Sequence, residues 1–287
     1  MPNVALATCA KLPEPDADEE LLVRALEARG AHVRLLPWDD AAQAASSNEL
    51  VVVRSTWNYF EDLERFLAWV ERTSRVANIL NPADVIRANV KKTYLRDLER
   101  RGIDIVPTEY VARGESRPID EICRARGWGA IVIKPVVSAG SFLTRRFEAS
   151  QTAEAQRFLD EITVERDAMV QRYMESVDGY GERSIVWIDG EPSHAIRKSP
   201  RFVGGAESVS AEMPIAEDER ALADRVVAPL ASELLYARVD VVRDEDDKLR
   251  LLELELIEPS LFLKQCPRAL ERLTDAILRH ASVPPRA

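Results

Sequence analysis

The chain has 287 residues, 46% hydrophobic and 31% charged, enough apolar material for a full core and too much for a disordered segment. That length fits one large lobe or two to three small ones. A formal charge of -10 argues against a nucleic-acid-binding surface.

Residues 3–8 read as a short apolar strand. The first ten residues lack the cationic flank of a secretory signal, and no apolar run approaches membrane-spanning length. Residues 16–29 form a predicted helix with Leu21, Leu22, Ala25 and Leu26 on one face and Gly30 as its stop. Residues 31–36 and 50–53 are two further strands, the last running into Arg54-Ser55-Thr56-Trp57-Asn58-Tyr59-Phe60. A β-α-β-β succession predicts a parallel sheet, and ligands of such sheets lie beyond the carboxyl ends of the strands. Trp57 and Tyr59 stand at such an end, where they either line a substrate pocket or cover the sheet.

Residues 62–74 are an amphipathic helix, and Asn81-Pro82 breaks the chain. A helix around Lys91 to Leu95, then Gly102 and Val106-Pro107-Thr108, reads as a passage between lobes. Residues 130–137 form an apolar strand that carries Lys134, a charge needing an anionic partner. Ser138-Ala139-Gly140-Ser141 follows, either a phosphate-approaching loop or a plain turn. Residues 169–174 are another strand and 179–181 a turn. Glu182 leads into the strand 185–188 and the hairpin turn Asp189-Gly190. Residues 198–205 read as a basic, glycine-ended loop, 217–235 as one long amphipathic helix, and 269–280 as a closing helix.

The most informative stretch is 238–256. Arg238-Val239-Asp240-Val241-Val242 and Leu251-Leu252-Glu253-Leu254-Glu255-Leu256 flank an acidic turn at Asp244 to Lys248. Strand alternation places Leu252, Leu254 and Leu256 on one face and Glu253 and Glu255 on the other, with Arg238 and Asp240 alike on the partner strand. Three carboxylates then converge on one face, a set of hard oxygen donors suited to Mg²⁺. The alternative is a half-exposed edge hairpin kept soluble by its glutamates. The run Asp244 to Asp247 lacks the glycine and distal glutamate of an EF-hand loop. Cys9, Cys123 and Cys266 are too scattered for a disulfide framework or a zinc site and read as thiols in a reducing, cytoplasmic compartment. Of His32, His194 and His280, His194 reads as structural or substrate-facing rather than as a catalytic base.

In this order, from about Pro82 to Pro259, these features resemble the ATP-grasp superfamily. Arg238-x-Asp240, with Glu253 thirteen positions later and Glu255 two further on, is similar to the metal strands of D-alanine–D-alanine ligase, which usually carries asparagine at the last position. Glu258-Pro259-Ser260-Leu261, with Ser55 to Tyr59 and Asn89-x-x-Lys92, resembles a D-cycloserine ligase-like subgroup. The resemblance implies an α/β fold of α+β lobes: an N-terminal parallel-sheet lobe at 1–88, a central lid at 89–171 and a C-terminal antiparallel lobe with the metal site at 172–287.

It also implies roles. Lys92, Lys134 and Ser138 would meet the nucleotide phosphates; Gln171, Tyr173 and Met174 the adenine; Glu182 the ribose. Asp240, Glu253 and Glu255 would bind Mg²⁺, two ions in the family pattern with Mn²⁺ as an alternative. Arg238 would stabilise the oxyanion, while Lys198 and Arg201 meet phosphate or substrate carboxylate. A small amino-acid-like substrate would lie near Ser55, Thr56 and Trp57. The implied activity is ATP-dependent C–N ligation through an acyl phosphate, with release of ADP and phosphate, in a specialised pathway such as antibiotic biosynthesis. A kinase-like phosphotransferase and a non-catalytic nucleotide-binding module are the alternatives. No nucleic-acid or membrane partner is expected, and the oligomeric state is open, a homo-oligomer included.

Overall fold

The computed structural model describes residues 1–199 and 208–282, and these form three four-stranded sheets. The first sheet comprises β1 (Asn3–Thr8), β2 (His32–Pro37), β3 (Glu49–Ser55) and β4 (Asn78–Leu80), all parallel in the order β2-β1-β3-β4. Helices α1 (Glu19–Ala28) and α2 (Leu63–Val76) join its strands. The Asp62 carboxylate caps α2 by accepting from the Arg65 amide, and Phe66, Trp69, Val70 and Thr73 bury its apolar stripe at helical spacing.

After α3 (Ala83–Asn89) and α4 (Tyr94–Arg100) the chain enters a second, antiparallel sheet. It contains β5 (Thr108–Val111), β6 (Ile131–Pro135), β7 (Arg145–Phe147) and β8 (Ala168–Arg172) in the order β5-β8-β6-β7. Helices α5 (Ile119–Arg126) and α6 (Thr152–Thr163) close a separate core over it, including Ile119, Ile133, Phe158 and Val170.

The third sheet, β10-β9-β11-β12, is also antiparallel. Its strands are β9 (Glu182–Ile188), β10 (Glu191–Lys198), β11 (Tyr236–Arg243) and β12 (Leu249–Glu255), accompanied by α7 (Ser176–Gly179), α8 (Glu217–Val227) and α9 (Pro267–Ala281). Helix α9 returns to the first sheet, where Leu273 and Ile277 share a core with Leu22 and Leu26 of α1.

Three expectations change. The helix expected over 217–235 stops at Val227, because Pro229 lacks the N–H to continue it and the chain tightens into a 3-10 turn at Ala228–Leu230. The turn expected at 179–181 is partly taken by α7. Gly181 remains special: its φ is +88°, and a Cβ there would come within 2.5 Å of the Lys198 carbonyl oxygen. Third, the alternation along β12 is broken. Asp240 faces Glu253 but Val241 faces Leu251, so Leu252 is the extra residue of a β-bulge. Leu251, Leu254 and Leu256 occupy the core face, while Leu252 turns toward Val106, Tyr173 and Val242.

β12 is the outer strand of its sheet, yet its outer edge is covered. Leu251 donates to the Asp104 carbonyl and accepts from the Val106 amide at 2.8 and 2.9 Å. The Leu254 amide donates to the Tyr94 hydroxyl, and the Asn89 side chain bridges the Leu254 carbonyl and the Leu256 amide. Asn81 completes the seam: its amide nitrogen donates to the carbonyls of Tyr236 and Leu256, and its oxygen accepts from the Leu235 amide, each at 2.8 Å. The exposed-edge alternative for this hairpin is thereby removed.

Replacing buried Asn81 with alanine strands three backbone groups at once. Asn81→Ala should lower unfolding stability by about 3 kcal/mol, read as a shift in urea midpoint at unchanged slope. A loss below about 0.5 kcal/mol would show that the seam does not depend on this side chain.

Candidate active site

A cavity of about 600 Å³ lies where the three sheets meet, within the size range of small-molecule sites. Trp57, Asn58, Tyr59 and Phe60 line one end, beyond the carboxyl ends of the parallel sheet. Lys92, Lys134 and the Ser138-to-Phe142 loop form one wall, and β9, β11 and β12 the other.

The chemistry concentrates on the third sheet. Arg238 stands opposite Glu255 and Asp240 opposite Glu253. Arg238 grips Asp240 with two nitrogens, Nε at 2.9 Å from Oδ1 and Nη2 at 2.8 Å from Oδ2, and also ion-pairs with Glu255. Lys198 Nζ lies 3.2 Å from Asp240 Oδ2 and pairs with Glu182, its register partner across β9 and β10. From the second wall, Lys92 Nζ reaches Glu253 Oε1 at 2.9 Å and Lys134 Nζ reaches Oε2 at 3.7 Å. Lys92 also donates to the Ser138 carbonyl at 2.7 Å, while its own backbone is held by Val136 and the Tyr110 hydroxyl. Lys92, Lys134, Lys198, Arg238 and Asp240 are all below 9% exposed, so each charge depends on its partners rather than on water.

Those partners tune the carboxyls in opposite directions. Burial pushes Asp240 up, but Arg238 and Lys198 outweigh it and hold the group well below the carboxylate range. Burial likewise opposes Lys92 and Lys134 at Glu253, and the lysines prevail. At Glu255 burial wins over Arg238, aided by repulsion from Asp240 and Glu253, and the pKa rises to about 7. Glu258 rises to about 8 through burial and the like charges of Glu255 and Glu253. Burial pulls the Lys134 ammonium down, Glu253 acting against it and Lys92 adding to it.

Beyond Glu253 the cavity turns apolar. Val106, Tyr173, Met174, Val177 and Val242 form a slot to which the bulge adds Leu252, and Gln171, whose amide donates to the Thr108 hydroxyl at 3.0 Å, lines its rim. Such a slot suits a planar heterocycle. At the opposite end Phe142, in a loop with left-handed backbone at Gly140, Ser141 and Leu143, packs its ring 4.5 Å from that of Phe60. This contact closes the second sheet's loop onto the first sheet.

The structure brings Lys92, Lys134, Ser138, Gln171, Tyr173, Met174, Glu182, Lys198, Arg238, Asp240, Glu253, Glu255 and Trp57 to one cavity. Ser55 and Thr56 are not part of its lining. Both are fully buried, and the Ser55 hydroxyl donates to Asp16 at 3.0 Å beneath the loop. Lys198 is the last residue of β10 and not a loop residue, because its side chain must reach inward between Glu182 and Asp240. Arg201 lies outside the described residues. Sequence reasoning assigned no role to Tyr94, Phe142 or Glu258. Of these only Glu258 left a signal, an acid placed between two apolar residues and a proline.

As donors, Asp240, Glu253 and Glu255 supply carboxylate oxygens from two paired strands, the ligand type that Mg²⁺ takes. Among the described residues no three acidic, histidine or cysteine side chains are drawn together at metal-holding distance, since each of these acids is engaged by lysine or arginine. The donor set fits the ion once those cations turn to an anionic ligand. No helix among the described residues is long and apolar enough to cross a membrane.

Comparison with known proteins agrees with this geometry. The family model for the N-terminal domain of D-cycloserine synthetase DcsG matches residues 4–81. The cycloserine biosynthesis protein DcsG of Streptomyces lavendulae is 32% identical over 280 residues, covering 91% of this chain and 92% of that one. The crystal structure of D-cycloserine synthetase DcsG superposes with a TM-score of 0.88 at 30% identity, covering 98% of this chain and all of that one. The fold extends to D-alanine–D-alanine ligase from Bacillus anthracis complexed with ATP, with a TM-score of 0.65, 16% identity and coverage of 98% and 97%.

His194 lies on β10 but outside this cavity, 1% exposed, which makes it structural. Burial lowers its pKa from 6.5 to about 4, so the unfolded chain binds the proton more readily between those values. Stability from this residue is therefore complete above pH 6.5 and lost as pH falls toward 4. In urea titrations, wild type should lose about 2 kcal/mol more between pH 7 and pH 5 than His194→Leu does. Parallel pH profiles for the two proteins would refute this placement.

Proposed function

The chain belongs to the D-cycloserine synthetase family of ATP-grasp ligases, and from that premise we propose that it phosphorylates the carboxylate of a small amino-acid-like substrate and joins it to an amine. It is an ATP-dependent ligase that forms a C–N bond. The observation that carries the finer reading is the meeting of Lys92, Lys134, Lys198 and Arg238 with three carboxylates beside an apolar slot.

In this reading the adenine fills the slot between Met174 and Leu252, with Gln171 and Tyr173 at its edge and Glu182 holding the ribose hydroxyls. Lys92 and Lys134 rest on Glu253 when no nucleotide is present and turn to the phosphates when one arrives, with the Ser138 loop over them. Asp240, Glu253 and Glu255 would hold Mg²⁺, two ions in the family pattern. When bound, the metal offsets the phosphate charge and polarises the transferred group. Transfer of the γ-phosphoryl group to the carboxylate makes an acyl phosphate and releases ADP. An amine then attacks the acyl carbon, and phosphate leaves.

Arg238, anchored by Asp240 and also donating to the Ser260 carbonyl at 3.3 Å, faces the place where the oxyanion develops. Lys198 meets phosphate or the substrate carboxylate. The Phe60–Phe142 contact keeps water from the acyl phosphate. The substrate lies toward Trp57, and the relatives' link to D-cycloserine favours closure of a small ring within one molecule.

Purified protein with Mg²⁺, ATP and a panel of amino acids and O-substituted serines should release ADP and phosphate, and hydroxylamine should trap a hydroxamate. Release of AMP and pyrophosphate, or an alkyl phosphate that hydroxylamine leaves intact, would overturn the reading. Glu253→Gln should cut turnover by at least about 100-fold, and Arg238→Lys should lower kcat by about 100- to 1,000-fold, the size seen on losing an oxyanion donor. Equal kcat in wild type and Arg238→Lys would remove the arginine from the chemistry.

A further inference from the structure

Most of the buried charged groups along the cavity pair off among the described residues. Lys92 and Lys134 share Glu253, Lys198 joins Glu182 to Asp240, and Arg238 joins Asp240 to Glu255. Glu258 lines the same cavity, yet its carboxyl has no ion pair or hydrogen bond among the described residues. An acid withdrawn from water without a cation is costly unless a ligand supplies one.

The backbone beneath this acid is held firmly. The Glu258 carbonyl accepts from the Trp57 indole at 3.0 Å, and the Ile257 carbonyl from the Tyr236 hydroxyl at 2.8 Å. Arg238 holds the Ser260 carbonyl, and the Asp18 carboxylate accepts from the amides of Leu261 and Leu263. Four side chains from three segments thus hold the 257–263 stretch, so Glu258 is placed rather than left to wander.

Position then identifies the ligand's chemistry. Going along β12 from the apolar slot, the cavity meets Leu252, then Glu253 and Glu255, then Glu258 beyond the strand's end beside Trp57. With a nucleotide base at Leu252 and phosphates at Glu253 and Glu255, Glu258 falls past the phosphate terminus, where the acceptor substrate must sit. An amino acid that offers its carboxylate to the phosphate carries its ammonium a bond or two further on. We propose that Glu258 is the specificity residue that receives the substrate's ammonium group through a charge-assisted hydrogen bond, with Trp57 setting its position. The raised pKa of Glu258 accords with this: burial and the like charges of Glu255 and Glu253 outweigh Lys92 and Arg238, and an ammonium ligand would redress that balance.

The proposal rests on the ligase reading, and two measurements keep them apart. The probes are D-cycloserine and isoxazolidin-3-one, the same ring without the amine, each titrated into protein saturated with ADP and Mg²⁺. Wild type should bind D-cycloserine about 10- to 100-fold more tightly than the deamino ring, the range of one charge-assisted hydrogen bond. Glu258→Gln should abolish that preference while leaving the affinity for ADP and Mg²⁺ within about twofold, and Glu258→Asp should restore part of it. A preference that survives Glu258→Gln, or no preference in wild type, overturns the role. So does a loss of ADP or Mg²⁺ affinity in the variant, which would place Glu258 among the metal ligands. If the ring preference behaves as expected but no amino acid drives phosphate release, the ligase chemistry fails while the ammonium site stands.

Discussion

Four buried cations and their carboxylate partners hold this site together. Lys92 follows α3, Lys134 comes from β6, Lys198 from β10 and Arg238 from β11, yet all end on acids of one sheet. Removing a charge from water costs several kcal/mol unless a partner compensates. The lysines of the second wall therefore need Glu253 as much as Glu253 needs them. These charges largely neutralise one another, and under the proposed function the lysines would turn from carboxylate to phosphate, leaving Asp240, Glu253 and Glu255 to hold Mg²⁺. Lys92, Lys134 and Glu253 would then each have two sets of partners, one protein and one ligand.

Such an exchange requires a scaffold that stays in place when partners change. β12 carries two of the acids at the rim of its sheet, where a strand is ordinarily free to pair or fray. Here Asn81, Asn89, Tyr94 and the 104–106 segment satisfy its outer edge. The turn after it is fastened by Trp57, Tyr236, Arg238 and Asp18. Side chains that act by electrostatics are effective only when held beforehand, because reorienting them during the reaction would consume the gain. The glutamate at position 255, where D-alanine–D-alanine ligases usually carry asparagine, fits the same pattern: its added charge is answered by Arg238.

Much of this arrangement was readable from residue order. Alternation along 238–242 and 251–256 placed Arg238, Asp240, Glu253 and Glu255 on one face, and pairing of β11 with β12 sets them opposite one another. Lys134 stood out because a lysine in an apolar strand needs an anion, and its anion is Glu253. The parallel first sheet followed from its β-α-β-β order. Where reading failed, a local rule was overruled. Pro229 ended a helix that periodicity carried on, and a bulge at Leu252 reversed one leucine in a run that alternation treated alike.

Residue sequence by itself determined which side chains could share a strand face, where the chain turned, and that a set of acids and bases demanded partners, since these depend on spacings of a few residues. Tertiary structure alone decided which partner each charge found, that Ser55 and Thr56 lie under the floor while Trp57 reaches the cavity, and that Glu258 lines the cavity with no ion pair of its own among the described residues. The reason is distance along the chain. Lys92 and Glu253, or Trp57 and Glu258, meet only after three sheets have packed, and no local period encodes that meeting.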